Sequence, residues 1–228
     1  SQLRAGLFRG IGEYREDRSS ADKLPEDSFD EGGVFASLRY DSLDNPFFPT
    51  DGGFFYVDYG AFREDLGGDD DFERWRIAGQ AAFSFGKEDA NIIVLTAKTG
   101  QSSDAPNEPQ NYFQLGGLFN LSGTSQNFYS GRQSVFAMAQ YHRRLSDQSV
   151  VPVDLPFYVG ASIEGGQLWS DRSDIDAGEL ITAGSIYVAV DTPIGPIFVA
   201  YGRTEESLDA IYLSIGWPFM LGNLRMGR

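Results

Sequence analysis

The feature that most constrains the fold is an apolar–polar alternation with a period of two residues, which recurs along nearly the whole chain. In segment 72–85 one parity carries tryptophan, isoleucine and two phenylalanines, and the other carries arginines, glutamine, serine and alanines. An extended strand places alternate residues on opposite faces, so each such segment predicts a strand with one apolar face. No segment of useful length shows the 3.6-residue period of a helix.

The pattern predicts an all-β chain of antiparallel strands. It covers ten segments, at residues 2–15, 33–42, 53–64, 72–86, 90–101, 132–145, 156–169, 179–191, 196–204 and 210–219.

The connections between these segments alternate in length and charge. One set is long or strongly acidic, and the other is mostly shorter. This asymmetry is typical of a transmembrane β-barrel with long outer loops and short periplasmic turns, and a soluble β-protein is the alternative. The first set is 16–32, 65–71, 102–131, 170–178 and 205–209, and the second is 43–52, 87–89, 146–155 and 192–195.

Composition excludes several classes of function. With 18 Lys and Arg against 33 Asp and Glu, the net charge is −15, which disfavours binding to nucleic-acid phosphates. The chain has no Cys, so it forms no disulfide, and its single His excludes a multi-histidine metal site. The acidic loops lack the spacing of a calcium loop. We therefore expect no cofactor and no metal.

The barrel interpretation assigns the two faces of the strands. Because hydrocarbon offers no hydrogen bonds, a spanning sheet must close on itself and turn its apolar face outward. The outward face would carry Trp75, Phe83, Phe157, Trp217 and Phe219, and the inward face Arg74, Arg76, Lys98, Gln140 and Glu164. The inward side chains would face water or a plug.

Four stretches, in order, resemble the bacterial surface antigen superfamily, which includes outer-membrane assembly factors and two-partner secretion transporters. They are Tyr-Asp-Ser-Leu-Asp-Asn-Pro-Phe-Phe-Pro-Thr-Asp-Gly at 40–52, Leu-Gly-Gly-Leu-Phe-Asn-Leu-Ser-Gly-Thr at 115–124, 160–169, and 195–202 together with 211–219. The Leu-Ser-Gly variant at 121–123 is most similar to the C-terminal barrels of patatin-like autotransporters.

This resemblance implies an outer-membrane location and a barrel of sixteen strands, of which this chain would supply the last ten. Residues 1–219 would be the barrel domain and 220–228 a C-terminal tail. The barrel would anchor and help to export an N-terminal patatin-like lipase passenger. Its partners would be outer-membrane lipids, the outer-membrane assembly machinery and that passenger, and a homodimer stays open. The alternatives are an assembly or two-partner-secretion barrel for separate clients and, ranked lower, a ten-stranded outer-membrane hydrolase.

The resemblance also implies a site inside the barrel. Loop 102–131 would fold inward, and its tip would dock on a strand that carries a luminal carboxylate. Ser122 stands where the family has its tip arginine and Thr124 where it has an aromatic residue, so hydrogen bonds from Ser122, Thr124 or backbone N–H groups would replace the arginine contact. The tip would be Gly116, Gly117, Leu121, Ser122, Gly123 and Thr124, the docking strand Gly160, Glu164, Gly166 and Trp169, and the terminal-strand signal Ile215, Trp217 and Phe219.

No catalytic residue is expected in this chain. The nucleophile pattern Gly-x-Ser-x-Gly is absent. Gly86-Lys87 is followed by Glu88, which does not fit a phosphate-binding loop. His142 would lie near the periplasmic end of its strand, whereas ten-stranded outer-membrane proteases place their catalytic residues at the outer rim. Any lipase activity would therefore belong to a passenger outside this chain.

Overall fold

Antiparallel strands make up most of the chain. The structure, a computed structural model, describes residues 1–13, 28–106, 111–145, 155–170 and 179–216. No helix in these ranges is long and apolar enough to cross a membrane. The strands are β1 (Gln2–Glu13), β2 (Ser28–Asp41), β3 (Asp51–Phe62), β4 (Phe72–Phe85), β5 (Asn91–Ser103), β6 (Phe113–Leu115), β7 (Tyr129–Gly131), β8 (Gln133–Leu145), β9 (Phe157–Trp169), β10 (Ile181–Val190), β11 (Ile197–Thr204) and β12 (Asp209–Ile215), with 3₁₀ turns at Glu64–Leu66 and Lys87–Asp89.

Ten of these strands form one sheet in the order β1-β2-β3-β4-β5-β8-β9-β10-β11-β12, in which every neighbouring pair is antiparallel. The prediction of ten antiparallel strands is confirmed. Strands β6 and β7 pair only with each other, inside the connection between β5 and β8. Strands β1 and β12 are the two edges of the sheet and do not pair with each other in the described residues. The sheet is therefore not closed here, and a total of sixteen strands stays a prediction.

Most strand boundaries lie within two residues of the predicted ones, and two differences extend strands into predicted loops. Strand β2 begins at Ser28 instead of residue 33, because Asp30 and Glu31 pair with the backbone of β1 although they lack an apolar face. Backbone hydrogen bonding therefore extends this hairpin beyond the apolar pattern. Strand β5 likewise continues to Ser103, inside the predicted loop 102–131.

The two faces of the sheet have the polarity that a membrane requires. On strands β9 and β10, which are not at the edges of the sheet, Ile163 is 71% and Ile186 is 63% exposed. The adjacent Ser162, Glu164 and Ser185 are buried. A protein stable in water would bury such isoleucines, but a lipid-facing barrel surface exposes an apolar band. The predicted outward position of Phe83 and inward positions of Gln140 and Glu164 agree with this polarity.

The inner face is packed rather than open. One apolar cluster combines side chains from the strands with others that enter from the connections. Its largest members are at least 95% buried, so they pack as tightly as a protein core. The inward side chains were expected to face either water or a plug. In this part of the interior they face a plug. Core members include Phe48, Leu115, Phe119, Leu121, Phe136, Tyr158, Tyr187 and Phe198.

The face assignment makes a prediction for β12, where Leu213 is 75% exposed and Ser214 half-buried. We expect Leu213→Asp to reduce membrane insertion strongly, because a charge on the lipid face costs free energy near the bilayer centre, with about 2–4 kcal/mol for basic residues and less for Asp. Ser214→Asp, on the inner face, is the matched control and should insert. Urea-resistant membrane association measures both, and equal insertion of the two variants would contradict the assignment.

Candidate functional site

The connection between β5 and β8 folds back against the inner face of the sheet. Strands β6 and β7 form a short hairpin in it, with Phe113 opposite Gly131. Beyond this hairpin the chain makes a compact tip, which we define as residues 116–124. Phe119, Leu121 and Ser122 in the tip have no exposed surface at all. The tip is therefore an interior element.

Glu164 on β9 receives three hydrogen bonds from the tip. Its Oε2 accepts from the backbone N–H groups of Leu121 at 2.7 Å and of Ser122 at 2.8 Å. Its Oε1 accepts from Ser122 Oγ at 2.7 Å. Hydrogen bonds to a buried carboxylate are the strong kind, because the acceptor is charged and water is excluded. The tip and β9 are thus joined by a carboxylate that is 4% exposed.

Serine side chains on β9 and on neighbouring β10 complete the environment of Glu164. Ser162 Oγ donates to Glu164 Oε1 at 2.6 Å and lies 2.7 Å from Ser185 Oγ on β10. Ser122 Oγ also accepts the N–H of Phe119 at 2.9 Å, so it bridges the tip backbone and the carboxylate. Both carboxylate oxygens therefore have two donors each, which a buried charge requires.

Lys98 on β5 brings a positive charge to the same interior. Its Nζ donates to Asn120 Oδ1 at 2.6 Å and lies 4.8 Å from the centre of the Phe136 ring. It is also within electrostatic range of Glu164. A buried carboxylate is stabilised by such a cation. Asn120 in turn closes the tip through a backbone hydrogen bond to the N–H of Gly116 at 2.6 Å.

The last strand holds the other side of the tip. Tyr212 Oη on β12 accepts the N–H of Gly123 at 2.8 Å and donates to the carbonyl of Thr124 at 2.7 Å. One phenol thus bonds the backbone of two consecutive residues. The tip therefore spans the inner face from β9 to the edge strand β12. Tyr212 was not predicted, although it is the aromatic residue on the polar parity of its strand.

Glycine is required where the tip meets β11. Gly123 has φ +113°, and a Cβ there would come within 2.8 Å of the Arg203 Cα and 2.6 Å of the Leu208 carbonyl oxygen. Opposite it, a Cβ on Gly202 would lie 2.6 Å from Ser122 Cβ. Positive φ and lack of space both select glycine. The backbone of the tip and strand β11 are therefore in direct contact at this point.

Thr124 has a different contact from the expected one. Its Oγ1 accepts the N–H of Gly117 at 3.2 Å and donates to the carbonyl of Leu121 at 2.9 Å. It therefore braces the tip internally and makes no hydrogen bond to Glu164. The replacements for the family arginine contact are instead Ser122 and two backbone N–H groups.

The other predicted docking residues lie on β9 but serve other neighbours. A Cβ on Gly166 would lie 2.9 Å from Leu115 Cδ1, so this glycine admits the base of the loop. Gly160 admits the ring of Tyr187, whose Cζ would be 2.4 Å from such a Cβ, and does not contact the tip. Trp169 ends β9, and its buried Nε1 has no hydrogen-bond partner among the described residues.

Of the predicted terminal-strand signal, Ile215 is the last residue of β12 and is exposed on the outward face. Trp217, Phe219 and the tail 220–228 lie outside the described residues.

His142 lies in an aromatic environment that does not resemble a catalytic site. It is 1% exposed, its ring packs edge-on against Phe48 and Tyr158, and Nδ1 is 3.3 Å from the hydroxyl of Tyr187. No carboxylate orients this imidazole within the described hydrogen bonds. Among the residues that the structure describes, no three His, Asp or Glu side chains come together as metal ligands.

An antiparallel sheet with an apolar outer face and a long connection folded against its inner face is the arrangement expected of a transmembrane β-barrel. A family model described as the Omp85 superfamily domain matches residues 8–219, so the chain belongs to the Omp85 superfamily. The superfamily consists of outer-membrane barrels involved in protein insertion or secretion, and its domains are generally not enzymes. No curated protein matches the chain.

Labelling of an introduced cysteine tests whether the tip is buried in the membrane-inserted protein. We expect Ser122→Cys to resist a bulky thiol reagent added outside cells and Asp104→Cys, at the exposed root of the loop, to react readily. Adding Glu164→Ala should raise labelling at position 122, because the tip loses hydrogen bonds to a charged partner, worth about 1.5–3 kcal/mol each. Rapid labelling at position 122 with Glu164 intact would show that the tip is not docked.

Tyr212→Phe tests the second attachment of the tip, because it removes the hydroxyl and keeps the ring. We expect faster hydrogen–deuterium exchange at the amides of Gly123 and of strand β12, with the exchange of β3 and β4 unchanged. Tyr201→Phe on the outward face of neighbouring β11 is the control. If Tyr212→Phe exchanges like this control, the phenol does not hold the tip to β12.

Proposed function

We propose that this chain is the C-terminal barrel domain of an outer-membrane autotransporter. In this proposal residues 1–219 form the last ten strands of a sixteen-stranded barrel, and residues 220–228 form a tail. The barrel anchors an N-terminal patatin-like lipase passenger and assists its passage to the cell surface. The observation that supports this most is the hydrogen bonding of the tip to Glu164, which holds a long connection inside the barrel.

The interior tip suits a barrel that moves polypeptide. Its hydrogen bonds to the wall go to the side chains of Glu164 and Tyr212, and its apolar residues pack on side chains, so the tip can leave without unpairing any strand of the main sheet. A docked tip keeps the interior filled, and a displaced tip would open it. This is the behaviour expected of a closed export barrel with a releasable internal element.

The unpaired edges of the sheet support a larger barrel. Edge N–H and C=O groups of β1 and β12 would lack partners in hydrocarbon, at several kcal/mol for each group. Six additional strands between the two edges would satisfy them. Closure of β1 directly onto β12 and pairing with a second copy are the other ways to do so, and a homodimer is therefore retained as a proposal.

The passenger is the most specific part of the proposal. It is supported by the Leu-Ser-Gly sequence at 121–123, which resembles the patatin-like subgroup. Outer-membrane lipids, the assembly machinery and the passenger would be its partners. Lipid hydrolysis, where the full protein has it, would occur in the passenger.

The main alternative is a barrel that assembles or secretes separate client proteins. The two differ upstream of the barrel, because a passenger protein carries Gly-x-Ser-x-Gly there and a client transporter carries repeated periplasmic modules instead. A ten-stranded hydrolase is disfavoured, because His142 is enclosed by aromatic rings instead of lining an open cleft.

Export by the full-length protein tests the proposal. We expect Glu164→Ala to lower the passenger that protease removes from intact cells by at least about tenfold, because the tip loses three hydrogen bonds to a charged partner, each worth about 1.5–3 kcal/mol, and with them the docked position that this proposal links to export. Glu164→Gln keeps one acceptor oxygen and removes the charge. Its passenger exposure should lie between that of the parent and that of Glu164→Ala. The exposed Glu64→Ala is the control. Unchanged passenger exposure in Glu164→Ala, at equal barrel levels, would contradict a role of the tip in export.

A further inference from the structure

The connection between β2 and β3 is an unusual turn because it enters the interior. It contains residues 42–50, which is longer than a hairpin turn needs. Phe48 in this turn is 2% exposed, and its ring stacks on Tyr158 of β9 at 4.0 Å and 7°. The same ring lies 5.7 Å from Phe198 of β11. Phe48 therefore reaches across the inner face to strands that are not neighbours of β2 or β3.

Side-chain hydrogen bonds hold the turn in this shape. Asn45 Oδ1 accepts the N–H groups of Phe47 at 2.7 Å and Phe48 at 3.1 Å. Asp44 accepts the N–H and hydroxyl of Thr50 at 2.8 and 2.5 Å. Partial burial acts to raise the pKa of Asp44, but the hydrogen bonds from Thr50 and Asp51 outweigh it and lower the pKa. The carboxylate is thus ionised at neutral pH, and the turn is a preorganised support for Phe48.

A second insertion comes from the opposite end of the sheet. Phe119 of the tip packs edge-on against Phe198 at 5.5 Å and against Tyr187 at 5.0 Å. Phe198 thus contacts one ring from the β2–β3 turn and one ring from the long loop. Because successive connections alternate between the two ends of an antiparallel sheet, these two insertions enter from opposite ends.

We propose that the β2–β3 turn is a periplasmic plug, with Phe48 as its stopper, and that it closes the interior independently of the tip. The assignment of its end to the periplasm rests on the proposed function. A polypeptide that enters from the periplasm must displace Phe48 before it meets the tip. A turn suits this role, since it can swing out while the ladders of β2 and β3 stay paired.

Ala200 provides a reporter between the two closures. It is 3% exposed and lies on the inner parity of β11, between Phe198, which contacts the plug, and Gly202, which contacts the tip. The chain contains no Cys, so Ala200→Cys supplies one thiol. A small charged thiol reagent is added to intact cells of a porin-deficient strain, where it stays outside, and to osmotically shocked cells, where it also enters the periplasm.

Phe48→Ala in the full-length protein should raise labelling at position 200 by about tenfold in shocked cells and leave it unchanged in intact cells. Pro46→Ala, at an exposed position of the same turn, should label like the parent. Asn45→Ala is the second variant, to be used if Phe48→Ala is not inserted into the membrane. It keeps the ring of Phe48 and removes the side chain that supports it. It should raise labelling in shocked cells only. Heat-modifiable migration selects the folded protein.

The outcomes separate this proposal from the role of the tip. Labelling of both turn variants that stays at the level of Pro46→Ala overturns the plug. A rise that is equal in intact and shocked cells also overturns it, because the turn would then support the whole interior instead of closing one end. Glu164→Ala should act in the opposite sense and raise labelling in intact cells. Its failure to do so would contradict the docked tip and leave the plug unaffected.

Discussion

The structure depends on the burial of one carboxylate. Glu164 lies buried on the inner face of the sheet, where an ionised group is stable only if its oxygens are fully hydrogen-bonded. Strand neighbours supply one donor, Ser162, and the tip supplies the other three. The tip must therefore adopt a conformation that aims two consecutive N–H groups and a hydroxyl at one point. That requirement accounts for the positive φ of Leu121, whose own N–H is one of the two donors.

The docked tip also organises the strands around it. Between β9 and β12 the sheet is held by backbone ladders, and the tip adds a connection across them through Tyr212. Strand β12 is an edge in the described sheet, so outside its ladder to β11 this phenol is a main constraint on it. Because the tip is hydrogen-bonded to an edge strand, displacing the tip from the interior also releases a constraint on that edge strand.

Much of this could be predicted from alternation alone, because side-chain parity determines the face on which Glu164, Gln140 and Phe83 lie. The replacement of the family arginine by Ser122 also pointed to hydrogen bonds with Glu164, and the geometry has them. Tyr212 and Phe48 could not be assigned, since their roles depend on which strands curl toward each other. Periodicity describes one strand at a time and contains no information on contacts across the interior.

The two interior contacts differ in chemistry, and this difference has a consequence. The tip is held by hydrogen bonds to Glu164 and Tyr212 as well as by the packing of Phe119, and competing hydrogen-bond donors can weaken the first kind of contact. Phe48 is held by stacked rings, whose strength depends on excluded water and changes little with charge. A ligand or polypeptide that weakens one set of contacts therefore need not weaken the other. Their common neighbour Phe198 is the point at which the two could still influence each other, because a ring displaced on one side leaves unfilled volume on the other.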